Sequence, residues 1–129
     1  MTNERFERGA QKVTEMYGDV GESFLESLND IAPDLARYVK EFAFGDIYSR
    51  PGLDLKSREM ATVASLVTLG NSPQELMAHI HGALNVGVTR TEVVEIIMQM
   101  AVYAGFPAAI KGMHSAKEVF KDRDTRGRQ

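Results

Sequence analysis

The sequence contains no cysteine. Structural disulfides, iron–sulfur clusters, cysteine-ligated zinc and CxxC redox pairs are therefore excluded, and with them all thiol-based catalysis. Positive charge is also in short supply. A net charge of −3 creates no field that draws the chain onto nucleic acid or an anionic membrane, so neither is expected as a partner. Long hydrophobic runs are missing as well. The stretch from Val93 to Ile110 is interrupted by Glu95, Gln99, Gly105 and Pro107, which leaves it short of the roughly 20 apolar residues of a membrane span. The first ten residues, MTNERFERGA, are charged and lack the apolar run of a secretory signal, which predicts a cytoplasmic protein. Phosphate-binding and dinucleotide glycine fingerprints, GxSxG and HExxH are absent, removing the nucleotide, catalytic-triad and zinc-protease readings.

What remains is a composition that packs conventionally. With 43% hydrophobic and 26% charged residues in 129 positions, the chain is long enough for one domain with a real core. Helix signals follow one another and no segment shows strand alternation, so the predicted fold is all-α with about seven helices. The first runs from Asn3 to Met16, with Phe6, Ala10, Val13 and Tyr17 on its apolar stripe, and ends at Gly18. A short second one carries Phe24, Leu25 and Leu28. Pro33 suits the first turn of a third, whose predicted stripe is Leu35, Tyr38, Val39, Phe42 and Ile47. After the break at Ser49-Arg50-Pro51-Gly52, a helical hairpin spans Lys56 to Leu69 and Ser72-Pro73 to Gly87, turning at Gly70-Asn71. Thr89-x-x-Glu92 reads as a capping box for a sixth helix. Gly105-Phe106-Pro107 separates it from a seventh ending near Asp122. One helical domain is thus expected over 1–122, with the charged tail 123–129 disordered.

Several side chains are candidates for chemistry. Arg58, Thr62 and Ser65 share one face of the fourth helix, either as a solvent edge or as a pocket wall offering a cation to a carboxylate. On the fifth helix Glu75 and His79 stand four residues apart, where a carboxylate can hold an imidazole in its charged, proton-donating form. The same Glu75 also fits a capping box with Ser72, and a lone histidine beside an apolar stripe is commonly structural. His81 lies about 200° around the helix from His79, so the two cannot chelate one ion and no metal site is expected. The placement of His114 relative to His79 depends on tertiary packing. The Met98-x-Met100 stretch reads as core or subunit contact.

Beyond these local readings, a set of motifs occurs in one order along nearly the whole chain. They are Phe44-Gly45-Asp46-Ile47-Tyr48-Ser49-Arg50-Pro51-Gly52-Leu53, Ser57-Arg58, Glu75-Leu76-x-x-His79, Ala83-Leu84-Asn85-x-Gly87-Val88-Thr89, Gln99, Tyr103-x-Gly105-x-Pro107-Ala108-Ala109, and His114. Together they resemble the carboxymuconolactone decarboxylase family. The resemblance implies a helical subunit of the alkylhydroperoxidase D-like fold, assembled as trimers or hexamers. Peroxidase relatives carry a CxxC pair followed four residues later by histidine; here Ser72 and Glu75 stand where those cysteines would be. The decarboxylase branch implies a cofactor-free conversion of a carboxylated muconolactone to an enol-lactone with loss of carbon dioxide, as part of aromatic-compound degradation. On this resemblance His79 is the proton donor, Glu75 orients it, Arg50 and Arg58 bind carboxylates, and His81 and His114 are further substrate-binding candidates. Two positions depart from the pattern: Glu59 follows Arg58 in place of a small hydroxyl residue, and His81 replaces an arginine. Both reduce the pull on a dicarboxylate, which keeps open an enzyme acting on another small lactone or oxo-acid, and a non-catalytic oligomeric protein binding small acids.

Overall fold

The Asn3 side chain accepts a hydrogen bond from the Phe6 N–H and so starts α1, Glu4–Glu26, in the computed structural model, which describes residues 3–127. Gly18, at φ 64° and ψ −151°, breaks α1 into the two helical runs that the sequence predicts. That backbone conformation suits glycine, which has no Cβ. Pro33 opens α2, Pro33–Tyr38, which passes into a π-helical stretch, Val39–Ile47. Then follow α3 (Leu55–Leu69), α4 (Pro73–Asn85), α5 (Arg90–Ala104) and α6 (Phe106–Thr125). Among the described residues there is no β-strand, so the all-α expectation holds. Among the described residues no helix is long and apolar enough to cross a membrane.

The chain divides into two compact units, residues 1–54 and 55–129. In the first, the π-helical stretch packs on α1 through glycine. A Cβ on Gly9 would overlap the Lys40 carbonyl, and one on Gly45 would overlap the Arg5 carbonyl. The Arg8 guanidinium donates to the Gly45 carbonyl at 2.7 Å. Asp46 accepts from Arg5 at 2.8 Å, which holds its carboxyl below the usual carboxylate range, chiefly through that hydrogen bond. This pair's stabilisation is present at neutral pH and lost as the medium becomes acidic enough to protonate Asp46. Tyr17 meets Phe44 edge to face at 5.8 Å.

This docking overturns the predicted stripe of the third helix. Leu35, Tyr38, Phe42 and Ile47 are exposed, and the buried residues are Ala36, Glu41, Phe44 and Gly45. Leu35 and Tyr38 already face outward in α2, and from Val39 onward the wider i to i+5 turn carries a stripe counted at 3.6 residues per turn off the buried side. Glu41 is tolerated there because Asn3 and Arg37 reach it at 2.7 and 3.2 Å.

The second unit is a four-helix arrangement around Val63, Val67, Ile80, Val93, Ile97 and Val119. The capping box at the start of α5 forms as predicted: Thr89 accepts from the Glu92 N–H, and Glu92 accepts from the Thr89 N–H at 2.9 Å. That backbone bond is the largest influence lowering the Glu92 pKa. The predicted disordered tail is helical through Thr125, and residues 128–129 lie outside the described residues. Arg123 is only 5% exposed. Arg90 pairs with Asp124 at 2.8 Å and lies over the Phe120 ring, contacts from another helix that a local reading of charged residues does not see.

The close approach at Gly9 can be tested by alanine substitution. Gly9→Ala should destabilise the protein by about 1–3 kcal/mol or more, the range for forced overpacking. Gly52→Ala, where a Cβ meets nothing within 4 Å, should stay within about 0.5 kcal/mol of the parent. Urea unfolding measures both, and equal midpoints for the two variants would show that the helices are not in such contact.

Candidate active site

On α3 the residues Glu59, Val63 and Val67 follow one another at four-residue spacing and are all buried, Glu59 completely. A carboxylate taken out of water costs several kcal/mol unless it is paired and hydrogen-bonded. The partner is His79 on the antiparallel neighbour α4: its Nδ1 lies 3.2 Å from both Glu59 oxygens. An ionised carboxylate only accepts, so Nδ1–H donates to it, fixing the ring's orientation and tautomer. Proton exchange with a ligand then falls to Nε2. The His79 side chain keeps 18% of its surface exposed, which gives solvent and small molecules access to the ring.

The predicted partner of His79 is replaced. Glu75 is exposed, and the carboxylate that reaches the imidazole is Glu59, which the sequence comparison marks only as a departure from the family pattern. Nor does a capping box with Ser72 claim Glu75, since Ser72 makes no side-chain cap bond. The signal for Glu59 was available as spacing: an acid one turn ahead of Val63 and Val67 falls on the core stripe, where only a paired acid is tolerated.

Arg58 is half-buried on α3 beside Glu59, and its carbonyl accepts from the Thr62 hydroxyl at 2.9 Å. Arg50 belongs to the first unit, where its N–H bonds to the Ile47 carbonyl. His81 points to α6: Nδ1 lies 3.2 Å from Arg123 Nη1, and Nε2 lies 3.4 Å from an Asp122 oxygen. Arginine has no acceptor, so Nδ1 is the accepting nitrogen and Nε2 carries the proton toward Asp122. Arg123 Nη1 also donates to Asn85 at 3.2 Å, making His81 part of an α4–α6 clamp. His79 and His81 thus address different helices, as their spacing requires. His114 is exposed on α6 at the edge of a cavity of about 240 Å³ that is not lined by His79.

Residues 33–118 match the model of the Carboxymuconolactone decarboxylase family. A 4-carboxymuconolactone decarboxylase of Acinetobacter baylyi is 41% identical over 92% of this chain and 89% of its own length. The nitrosuccinic acid decarboxylase npaB of Metarhizium robertsii is 36% identical over 69% of this chain and 62% of its own. An uncharacterized protein of Paracoccus denitrificans is 27% identical over 91% of this chain and 89% of its own.

The buried pair makes a stability prediction independent of activity. His79→Leu leaves the Glu59 carboxylate without this donor and should cost about 3–5 kcal/mol, as breaking a buried ion pair does. His79→Gln keeps an N–H donor and should cost less than half as much. Chemical denaturation of both variants decides. Equal, small losses would mean that His79 does not hold the buried acid.

Proposed function

Because the chain belongs to the carboxymuconolactone decarboxylase family, we propose that it releases carbon dioxide from a small carboxylated lactone, carboxymuconolactone being the first candidate, with His79 as the acid. The observation that carries this reading is the imidazole fixed through Nδ1 on a fully buried carboxylate. In such a decarboxylation the bond between the ring carbon and the leaving carboxylate breaks, and its electron pair is delocalised toward the neighbouring carbonyl system. Carbon dioxide departs and the Nε2 proton passes to carbon, leaving a neutral imidazole that regains its proton from water. No cofactor is needed where the substrate itself delocalises the pair. Glu59 is a positioning residue: it orients the ring through Nδ1. Arg58, beside Glu59 on α3, is the proposed carboxylate-binding cation. The nitrosuccinic acid decarboxylase relative supports a variant of the same reading, in which another small acid with an electron-withdrawing neighbour is the substrate.

The exposed apolar side chains Met98, Val102, Tyr103 and Phe106 support self-association through the end of α5 and the start of α6. In solution we place the protein as a homo-oligomer, trimer or hexamer, in the cytoplasm.

His79→Gln should lower kcat by roughly 10²–10⁴ while leaving the chain folded, the range for a lost general acid. Glu59→Gln should lower it less, and Glu75→Gln by under about threefold, since exposed Glu75 stands away from the ring's bond. Carbon dioxide release from carboxymuconolactone is the readout. Full activity of folded His79→Gln would remove His79 from the chemistry. Light scattering should give a mass several times the 14.3 kDa of one chain; a stable monomer at micromolar concentration would contradict the assembly.

A further inference from the structure

The cavity at the far end of the α3–α4 hairpin has features that the decarboxylase reading does not use. It opens between the end of α3, the start of α4 and the first half of α6, and neither His79 nor Glu59 lines it. Its walls are apolar, formed by Leu66, Leu76 and Ala108 among others. Two serines interrupt the wall, Ser72 and Ser115, and Ser115 is only 7% exposed. A serine hydroxyl that lines a cavity can donate to a ligand oxygen. At the rim, Lys111 is held by the Gly70 carbonyl at 3.3 Å, and His114 follows it one turn along α6. None of the lining residues is acidic, so nothing in the cavity opposes an anion.

We propose that this cavity is a second ligand site, distinct from the His79 centre, for a small monocarboxylate with an apolar body. The body lies on Leu66, Leu76 and Ala108, and the carboxylate takes the Ser115 hydroxyl and the Lys111 ammonium. An apolar wall with a few convergent polar groups is the usual composition of a small-molecule pocket. Lys111 is the one lysine or arginine in the lining, which matches a single carboxylate.

The test is a titration of the full chain with hexanoate, followed by amide resonances in two-dimensional NMR, with hexanol as the uncharged control. Hexanoate should shift the amides of Ser72, Leu76, Lys111 and Ser115 saturably at millimolar concentration, and hexanol at least tenfold more weakly. Lys111→Ala and Ser115→Val should each weaken hexanoate binding several-fold, with Ser115→Ala replacing the valine variant if that one fails to fold. His79→Gln should bind hexanoate as the parent does, even where it no longer turns over carboxymuconolactone. Absence of saturable shifts, equal binding of hexanol, or loss of binding in His79→Gln would each overturn the proposal. The last result would place the ligand in the catalytic centre instead.

Discussion

A carboxylate with no exposed surface and a single imidazole nitrogen shared between its oxygens is the interaction on which the second unit's chemistry turns. His79 donates to the buried Glu59, and Glu59 in turn directs the His79 ring. The two residues are twenty positions apart, and the hairpin between α3 and α4 brings them together. Gly70, at φ 70°, supplies the left-handed turn that lets α4 run back along α3. Val63 and Val67 on one helix and Leu76 and Ile80 on the other bury the seam. Catalytic geometry and core packing are in this way parts of one hairpin.

A second polar network secures the other side of α4. His81, Asn85, Asp122 and Arg123 tie α4 to the end of α6, while Arg90 ties the start of α5 to Asp124. These contacts keep α6 helical past the position where its own residues would let it fray. They also separate the roles of the two α4 histidines. His79 takes its buried partner from α3, whereas His81 has its two nitrogens directed at groups of α6, an arrangement suited to fixing helices.

The features legible in the sequence are those written in neighbouring residues. Thr89 and Glu92 announce a capping box, Pro33 and Pro73 announce first turns, and Gly18 announces a break, because each acts on backbone groups within four positions. Features set by distant partners were not legible. The packing of 39–47 on α1 uses the close approach of Gly45 to Arg5, buried Glu41 is met by Asn3 and Arg37, and Arg123 and Asp124 are met by His81 and Arg90. In the site, His79 was legible from spacing and resemblance together. Its partner was legible only as an acid on a core stripe, not as a partner of His79: Glu75 is near in sequence, but Glu59 is near in space. A four-residue rule sees one helix at a time, and the choice between the two acids is made by the packing of two.

The central claim is that Glu59 acts through His79 and not alongside it. A double-mutant cycle of kcat/KM for carbon dioxide release, using Glu59→Gln, His79→Gln and the double variant, measures this coupling directly. If the two form one unit, the double variant should be as slow as His79→Gln alone, within about threefold, because an orienting group has nothing left to orient. A double variant whose loss equals the product of the two single losses would show that the residues act independently, and would contradict the account.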